Sequence, residues 1–174
     1  MKIPVTLNRQ KMIFEAQPDE PLMDVLRRNS CISVKCGCGK GFCGSCMVLL
    51  DGKPVASCRI PTAIVRDSEI ETLESFSATD EYRDIADGFA RAGIRLCGYC
   101  DAGKIFTACE ILRMHRIPSK KEITEQVRQL APCCTDTETL VSGILFALAV
   151  HSRRTGRHLQ ERHDMKSRAQ ENFR

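Results

Sequence analysis

KCGCGKGFCGSCMVLLDGKPVASC, residues 35–58, decides how this chain is read. Within it Cys38, Cys43 and Cys46 follow the order C-x4-C-x2-C, and Cys58 comes after eleven intervening residues. That is the spacing that holds a [2Fe-2S] cluster. A buried anionic cluster also needs backbone N–H groups aimed at its sulfurs, which forces unusual backbone angles on a tight loop. Gly37, Gly39, Gly41 and Gly44 meet that need. Four thiolates would also suit a closed tetrahedral zinc site, although structural zinc favours two C-x2-C pairs over one glycine-rich hoop.

The chain has 174 residues, of which 43% are apolar and 5% aromatic, with no Trp. A core built on Ile, Leu, Val and Ala is expected, divided between two small domains. Eleven cysteines would suit a disulfide framework in a secreted protein, but residues 1–10 carry no apolar stretch behind a basic start. A cytoplasmic protein is expected. The longest apolar run, LVSGILFALAV at residues 140–150, is well short of the roughly 20 residues that span a bilayer, so no membrane segment is expected. Residues 151–174 hold six Arg and one Lys against three acidic residues, a balance of +4 that equals the net charge of the whole chain. The basicity therefore belongs to a tail, read from residue 153, and not to a folded face. This argues against nucleic acid as a partner. His151, His158 and His163 fall in the basic stretch and are expected to be solvated, and His115 lies near a helix end.

In the first half, Ile3, Val5 and Leu7, then a turn at Asn8-Arg9-Gln10, then Met12 and Phe14, predict two strands. Leu22, Val25 and Leu26 predict a helix through Arg28, and residues 47–50 a buried strand before an Asp51-Gly52 turn and a return through Val55 and Ala56. Residues 60–73 read as a further extended run. A small mixed sheet with one helix and a cysteine loop describes a β-grasp, plant-type ferredoxin-like domain over residues 1–76. Residues 77–152 read as a four-helix bundle, so the predicted fold class is α+β. Its helices cover 80–92 and 102–116, then begin at two capping boxes, Ser119 with Glu122 and Thr135 with Glu138.

A second cysteine set lies in the helical half. Cys97 and Cys100 (LCGYCDAG) precede one predicted helix, and Cys133 and Cys134 (PCCTDTE) precede another. At a helix N-terminus the free N–H groups and the positive end of the dipole favour an anionic metal–thiolate centre. A redox-active C-x2-C disulfide and plain core thiols are the alternatives.

Together the two sets resemble those of the small iron–sulfur subunit of the molybdenum hydroxylases, the xanthine dehydrogenase, aldehyde oxidoreductase and carbon monoxide dehydrogenase family. The family's first motif reads K-x-G-C-G-x-G-x-C-G-x-C-T-V-L-L-D-G, and KCGCGKGFCGSCMVLLDG matches it almost throughout. Its second reads Q-C-G-F-C-T-P-G and then C-R-C-T-G-Y. Here Leu96 replaces Gln, Asp101-Ala102 replace Thr-Pro, and Pro132 stands where the first cysteine of C-x-C should be. The resemblance implies one [2Fe-2S] cluster on Cys38, Cys43, Cys46 and Cys58, and a second on Cys97, Cys100 and Cys134. Cys133 is expected as the fourth ligand of the second cluster by proximity, because Pro132 fixes a turn that redirects it. It also implies an electron-transfer subunit of an oxidoreductase, without catalytic residues of its own. Single electrons would pass from a molybdopterin centre in a large subunit, through both clusters, to FAD in a medium subunit. A stand-alone ferredoxin-like carrier, and a redox or metal sensor holding only the first cluster, are the competing functions. Cys31, Cys36 and Cys109 belong to neither motif, and Cys109 reads as a small core residue.

Overall fold

Ile3, Val5 and Leu7 all turn inward from β1 (Lys2–Leu7), which pairs antiparallel with β2 (Gln10–Glu15) so that Ile3 faces Phe14. The hairpin closes on Asn8 and Arg9, both with left-handed backbone at φ 50° and 68°. That matches the twist of the flanking strands. The computed structural model describes residues 1–130 and 134–156. After β2 comes α1 (Leu22–Arg28), which buries Leu22, Met23, Val25 and Leu26. Next are β3 (Met47–Leu50), the Asp51-Gly52 turn and β4 (Lys53–Ala56). A short β5 (Glu69–Glu71) runs parallel to β1 and antiparallel to β3, giving a five-stranded mixed sheet in the order β2-β1-β5-β3-β4.

The extended run expected over residues 60–73 is mostly not strand. Its backbone is satisfied elsewhere, since the Thr62 N–H and hydroxyl both donate to the Glu20 carbonyl, at 2.8 and 2.6 Å, and Asp67 N–H donates to Pro4 O at 2.7 Å. Residues Thr62–Val65 consequently wind as a 3-10 turn, and only three residues reach the sheet.

The remainder is helical: α2 (Leu73–Phe76), α3 (Asp80–Arg91), α4 (Asp101–Leu112), α5 (Lys120–Val127) and α6 (Thr137–Thr155). With α1 this makes six α-helices among the described residues, an α+β fold. The Ser119–Glu122 capping box opens α5 as expected. At α6 the cap is Asp136 and not Thr135: the Asp136 carboxylate accepts the Thr139 N–H at 2.9 Å and the Thr139 hydroxyl at 2.6 Å. No helix among the described residues is long and apolar enough to cross a membrane.

Two hydrophobic clusters result, and β3 borders both because successive strand side chains point to opposite faces. Val48 joins Ile3, Phe14 and Leu26, whereas Leu49 joins Phe76, Phe106 and Ile144 of the helical cluster. Arg113 fastens the two sides: its guanidinium makes a bidentate pair with Glu81, and Nη1 donates to Gly52 O at 3.2 Å.

His151 is not a solvated tail residue. It is 8% exposed on α6, with Nδ1 2.7 Å from Asp84 Oδ2 on α3, and Arg154 donates to both Asp84 oxygens at 2.8–3.1 Å. A carboxylate only accepts, so Nδ1 carries the proton. The tail expected from residue 153 thus begins inside the last turn of α6, and residues 157–174, with His158 and His163, lie outside the described residues. Burial alone would raise the Asp84 carboxyl, but the hydrogen bonds from Arg154 and His151 outweigh it and hold it below the usual carboxylate range. A lowered folded value stabilises the protein above the unfolded value of about 3.9, and the contribution is lost as pH falls through the folded value. Asp84→Asn is therefore expected to cost about 2 kcal/mol at neutral pH, below the cost of breaking a fully buried pair because Arg154 is partly exposed. Urea midpoints across pH 2–7 check this, and a gap between variant and wild type that does not close in acid would refute it.

The two cysteine loops and their setting

Cys46 ends the first loop where β3 begins, and it is 3% exposed; Cys38, Cys43 and Cys58 are partly buried. Ser57 holds this junction, its hydroxyl donating to Cys46 O at 2.6 Å and its N–H at 3.2 Å. That tie brings Cys58 to Cys46, whose neighbouring thiol helps to push the Cys58 thiol up. Cys38 and Cys43 stand together as well, with the Cys38 N–H 3.4 Å from Cys43 Sγ. The four thiols thus stand as two neighbouring pairs. Two pairs suit two irons better than one zinc ion, which would draw all four to a point. Among the described residues no three His, Cys, Asp or Glu side chains gather as on a single ion.

Backbone N–H groups point at these sulfurs. Lys40 N–H donates to Cys38 Sγ at 3.3 Å, and Cys38 N–H to Cys43 Sγ at 3.4 Å. The Lys40 contact is the main reason the Cys38 thiol falls to about 6; burial opposes it, and the Cys43 N–H, Cys43 thiol and Phe42 N–H reinforce it. Burial pushes the Cys58 thiol up to about 11, its Cys46 neighbour adds to this, and the Gly41 N–H opposes it. Such a loop needs left-handed backbone at Gly39, Gly41 and Gly44, with φ of 62°, 89° and 77°. Gly37 is required for space instead: a Cβ there would lie 2.8 Å from Cys43 Sγ and 2.9 Å from Ser45 Oγ. Ser45 Oγ is fully buried without a hydrogen-bond partner among the described residues. A sulfide-bearing group beside Cys43 would supply the missing acceptor, so the donor set and its surroundings fit a [2Fe-2S] cluster.

Cys97, Cys100 and Gly98 form the approach to α4. Cys100 is its N-cap residue and 5% exposed, whereas Cys97 is exposed. The unexpected residues here have local roles. Asp101 accepts the Gly98 N–H at 3.1 Å, which holds the C-x2-C turn, and Leu96 packs against the helical cluster. Cys134 is exposed before α6 with Thr135 Oγ1 at 3.8 Å, and Cys133 lies outside the described residues. The described cysteines form no disulfide with one another. Cys109 is fully buried in α4, and burial pushes its thiol up to about 12; Cys31 is also buried, its thiol up at about 11 mainly for the same reason.

The two loops touch. A Cβ on Gly44 would meet Gly103 Cα at 2.9 Å, and one on Gly103 would meet Gly44 Cα at 2.7 Å. The Tyr99 hydroxyl donates to Cys36 O at 2.8 Å. Neither Gly103 nor Tyr99 stood out in the sequence, because each partner lies about 60 residues away. Lys104, also unremarked, is 3% exposed and donates from Nζ to Cys100 Sγ at 2.8 Å. Only its i, i+4 distance from Cys100 hinted at the contact.

Residues 5–97 match the family described as a 2Fe-2S iron-sulfur cluster binding domain, and residues 72–145 match a [2Fe-2S] binding domain. Among curated relatives, a nicotinate dehydrogenase subunit of Pseudomonas putida is 35% identical over 79% of this chain and 89% of its own. The xanthine dehydrogenase iron-sulfur-binding subunit of Escherichia coli O157:H7 is 34% identical over 82% and 91%. The structure of quinoline 2-oxidoreductase from Pseudomonas putida 86 superposes with a TM-score of 0.78 at 33% identity, covering 90% of this chain and 97% of that one. Aldehyde oxidoreductase from Desulfovibrio desulfuricans gives 0.75 at 28% identity, but the match covers 89% of this chain and 17% of that longer one. The chain belongs to the family of small [2Fe-2S] iron–sulfur subunits of the molybdenum hydroxylases. It is thus an electron-transfer subunit of an oxidoreductase.

Proposed function

We propose that this subunit relays single electrons from a molybdopterin centre in a large subunit, through two [2Fe-2S] clusters, to FAD in a medium subunit of a cytoplasmic complex. In this reading residues 1–76 are a β-grasp domain, residues 77–152 a four-helix bundle, and the remainder a basic tail. The strand order and the two separate hydrophobic clusters support that division. Cys38, Cys43, Cys46 and Cys58 hold the first cluster within the turns of Gly37, Gly39, Gly41 and Gly44. Cys97, Cys100 and Cys134 hold the second, with Cys133 as fourth ligand. A bound [2Fe-2S] cluster supplies one-electron redox chemistry with little change of geometry.

The observation that carries the proposal is the first cysteine loop itself, turned by left-handed glycines so that backbone N–H groups point at the Cys38 and Cys43 sulfurs while Ser57 ties the Cys58 segment to Cys46. The chain's own residues then fix the ligand orientations, and the close Gly44–Gly103 approach holds the two cysteine segments together. Phe42 in one loop and Tyr99 in the other are each about half exposed (52% and 50%), giving both loops apolar surface for a partner to cover. Anaerobic purification with the neighbouring genes co-expressed tests the assignment. About four irons and four labile sulfides per chain, with pterin and flavin in the same complex, are expected. Stoichiometric zinc without labile sulfide would overturn the cluster assignment, and a fully loaded monomer without partners would favour the stand-alone carrier.

A further inference from the structure

Lys104 stands one helical turn beyond Cys100 on α4. Residues at i and i+4 share a helix face, and long side chains lean toward the N-terminus, so Nζ is directed back at the thiol. The contact is 2.8 Å, with Lys104 only 3% and Cys100 only 5% exposed. A buried ammonium is costly unless an anion faces it, and a neutral thiol is a weak acceptor. A thiolate is a strong one, and a charge-assisted hydrogen bond to it is about twice as strong as a neutral one. Cys100 is also the N-cap of α4, where the helix end adds partial positive charge. The 2.8 Å contact therefore places a cationic N–H donor against the Cys100 sulfur where both side chains are buried.

We infer that Lys104 is a positioning residue that sets the reduction potential of the second cluster, through the Nζ–Sγ hydrogen bond to Cys100. The inference rests on Cys100 being a ligand of that cluster. Reduction adds one electron, supplied by the oxidoreductase reaction of the complex; no covalent bond forms or breaks, and Lys104 keeps its protons. The added negative charge is stabilised by the adjacent cation and its N–H donor, which makes the cluster easier to reduce. The first loop meets its sulfurs with backbone N–H groups, so this lever acts on one cluster and leaves the other as an internal reference.

The test is an EPR-monitored redox titration of the intact complex carrying Lys104→Met, which matches the length without charge or donor, beside Lys104→Gln, which retains an N–H donor. In Lys104→Met the second cluster's reduction equilibrium constant is expected to fall at least about tenfold, 59 mV for one electron, with the first cluster unmoved. Lys104→Gln is expected to fall between Met and wild type. Midpoints within about twofold of wild type in either variant, with both clusters present, overturn the inference and leave the ligand assignment intact. Loss of the second cluster from both variants, with the first retained, also overturns it, because Lys104 is then needed for assembly. A wild-type chain holding only one cluster overturns the ligand assignment and the inference together.

Discussion

Cys46→Ala is expected to remove about half of the iron and labile sulfide and one of the two cluster EPR signals, leaving the other. Cys46 is the most buried of its four thiols and is fixed at the head of β3 by two hydrogen bonds from Ser57 to its carbonyl. The backbone therefore cannot shift to offer another donor. Without this thiolate one iron keeps a single protein ligand from its pair, and the N–H groups collected over the loop lose the anion they face. Metal binding is also folding free energy, so a lower melting temperature should accompany the loss. Cys36→Ala is the control. It changes an exposed thiol only two residues from Cys38, while the backbone carbonyl that accepts from Tyr99 is retained. Iron analysis and EPR of the two variants decide the matter. Full iron in Cys46→Ala, or half in Cys36→Ala, would mean that the ligand set is wrong.

The largest stability effect is expected at Gly88. It lies where α3 crosses α6, and a Cβ there would sit 2.3 Å from Ala147 N and 2.6 Å from both Ala147 Cα and Cβ. Backbone atoms cannot rotate away, so Gly88→Ala must push the two helices apart. That would loosen the packing of Phe89 against Gly143 and stretch the Asp84–His151 contact made by the same two helices. Alanine's better helix propensity returns at most about 1 kcal/mol. A net loss of about 3 kcal/mol is expected, at the upper end of overpacking costs. Gly93→Ala serves for comparison: Gly93 is left-handed at φ 72° with nothing within 4 Å, so only backbone strain of about 1–2 kcal/mol applies. Urea denaturation of both variants checks the pair. A Gly88→Ala protein less destabilised than Gly93→Ala would show that the helices separate without resistance.

The features legible in the sequence are those made within a short stretch of chain. The Asn8-Arg9 turn, α1, the Asp51-Gly52 hairpin and the Ser119–Glu122 box all depend on neighbours a few residues apart, and each lies where the residue pattern puts it. The cysteine hoop is local too, because its N–H donors and sulfurs are two to five residues apart. Residues 60–73 depart from their strand-like pattern because Pro61 and Thr62 find partners at Pro21 and Glu20, about 40 residues earlier. Thr135 is a plausible cap by spacing, but the Asp136 carboxylate offers two acceptors to Thr139 where a hydroxyl offers one weaker site.

The sequence by itself therefore determined the family, with its [2Fe-2S] binding domains, and most of the strands and helices, because thiol spacing, glycine turns and hydrophobic period are properties of adjacent residues. Only the tertiary structure decided which helices meet and what faces the second thiol set. Gly88 against Ala147, Gly44 against Gly103, and Asp84 with His151 each join residues about 60 apart. Such pairs leave no periodic trace in the chain; close packing and the burial of charge select them once the elements have formed.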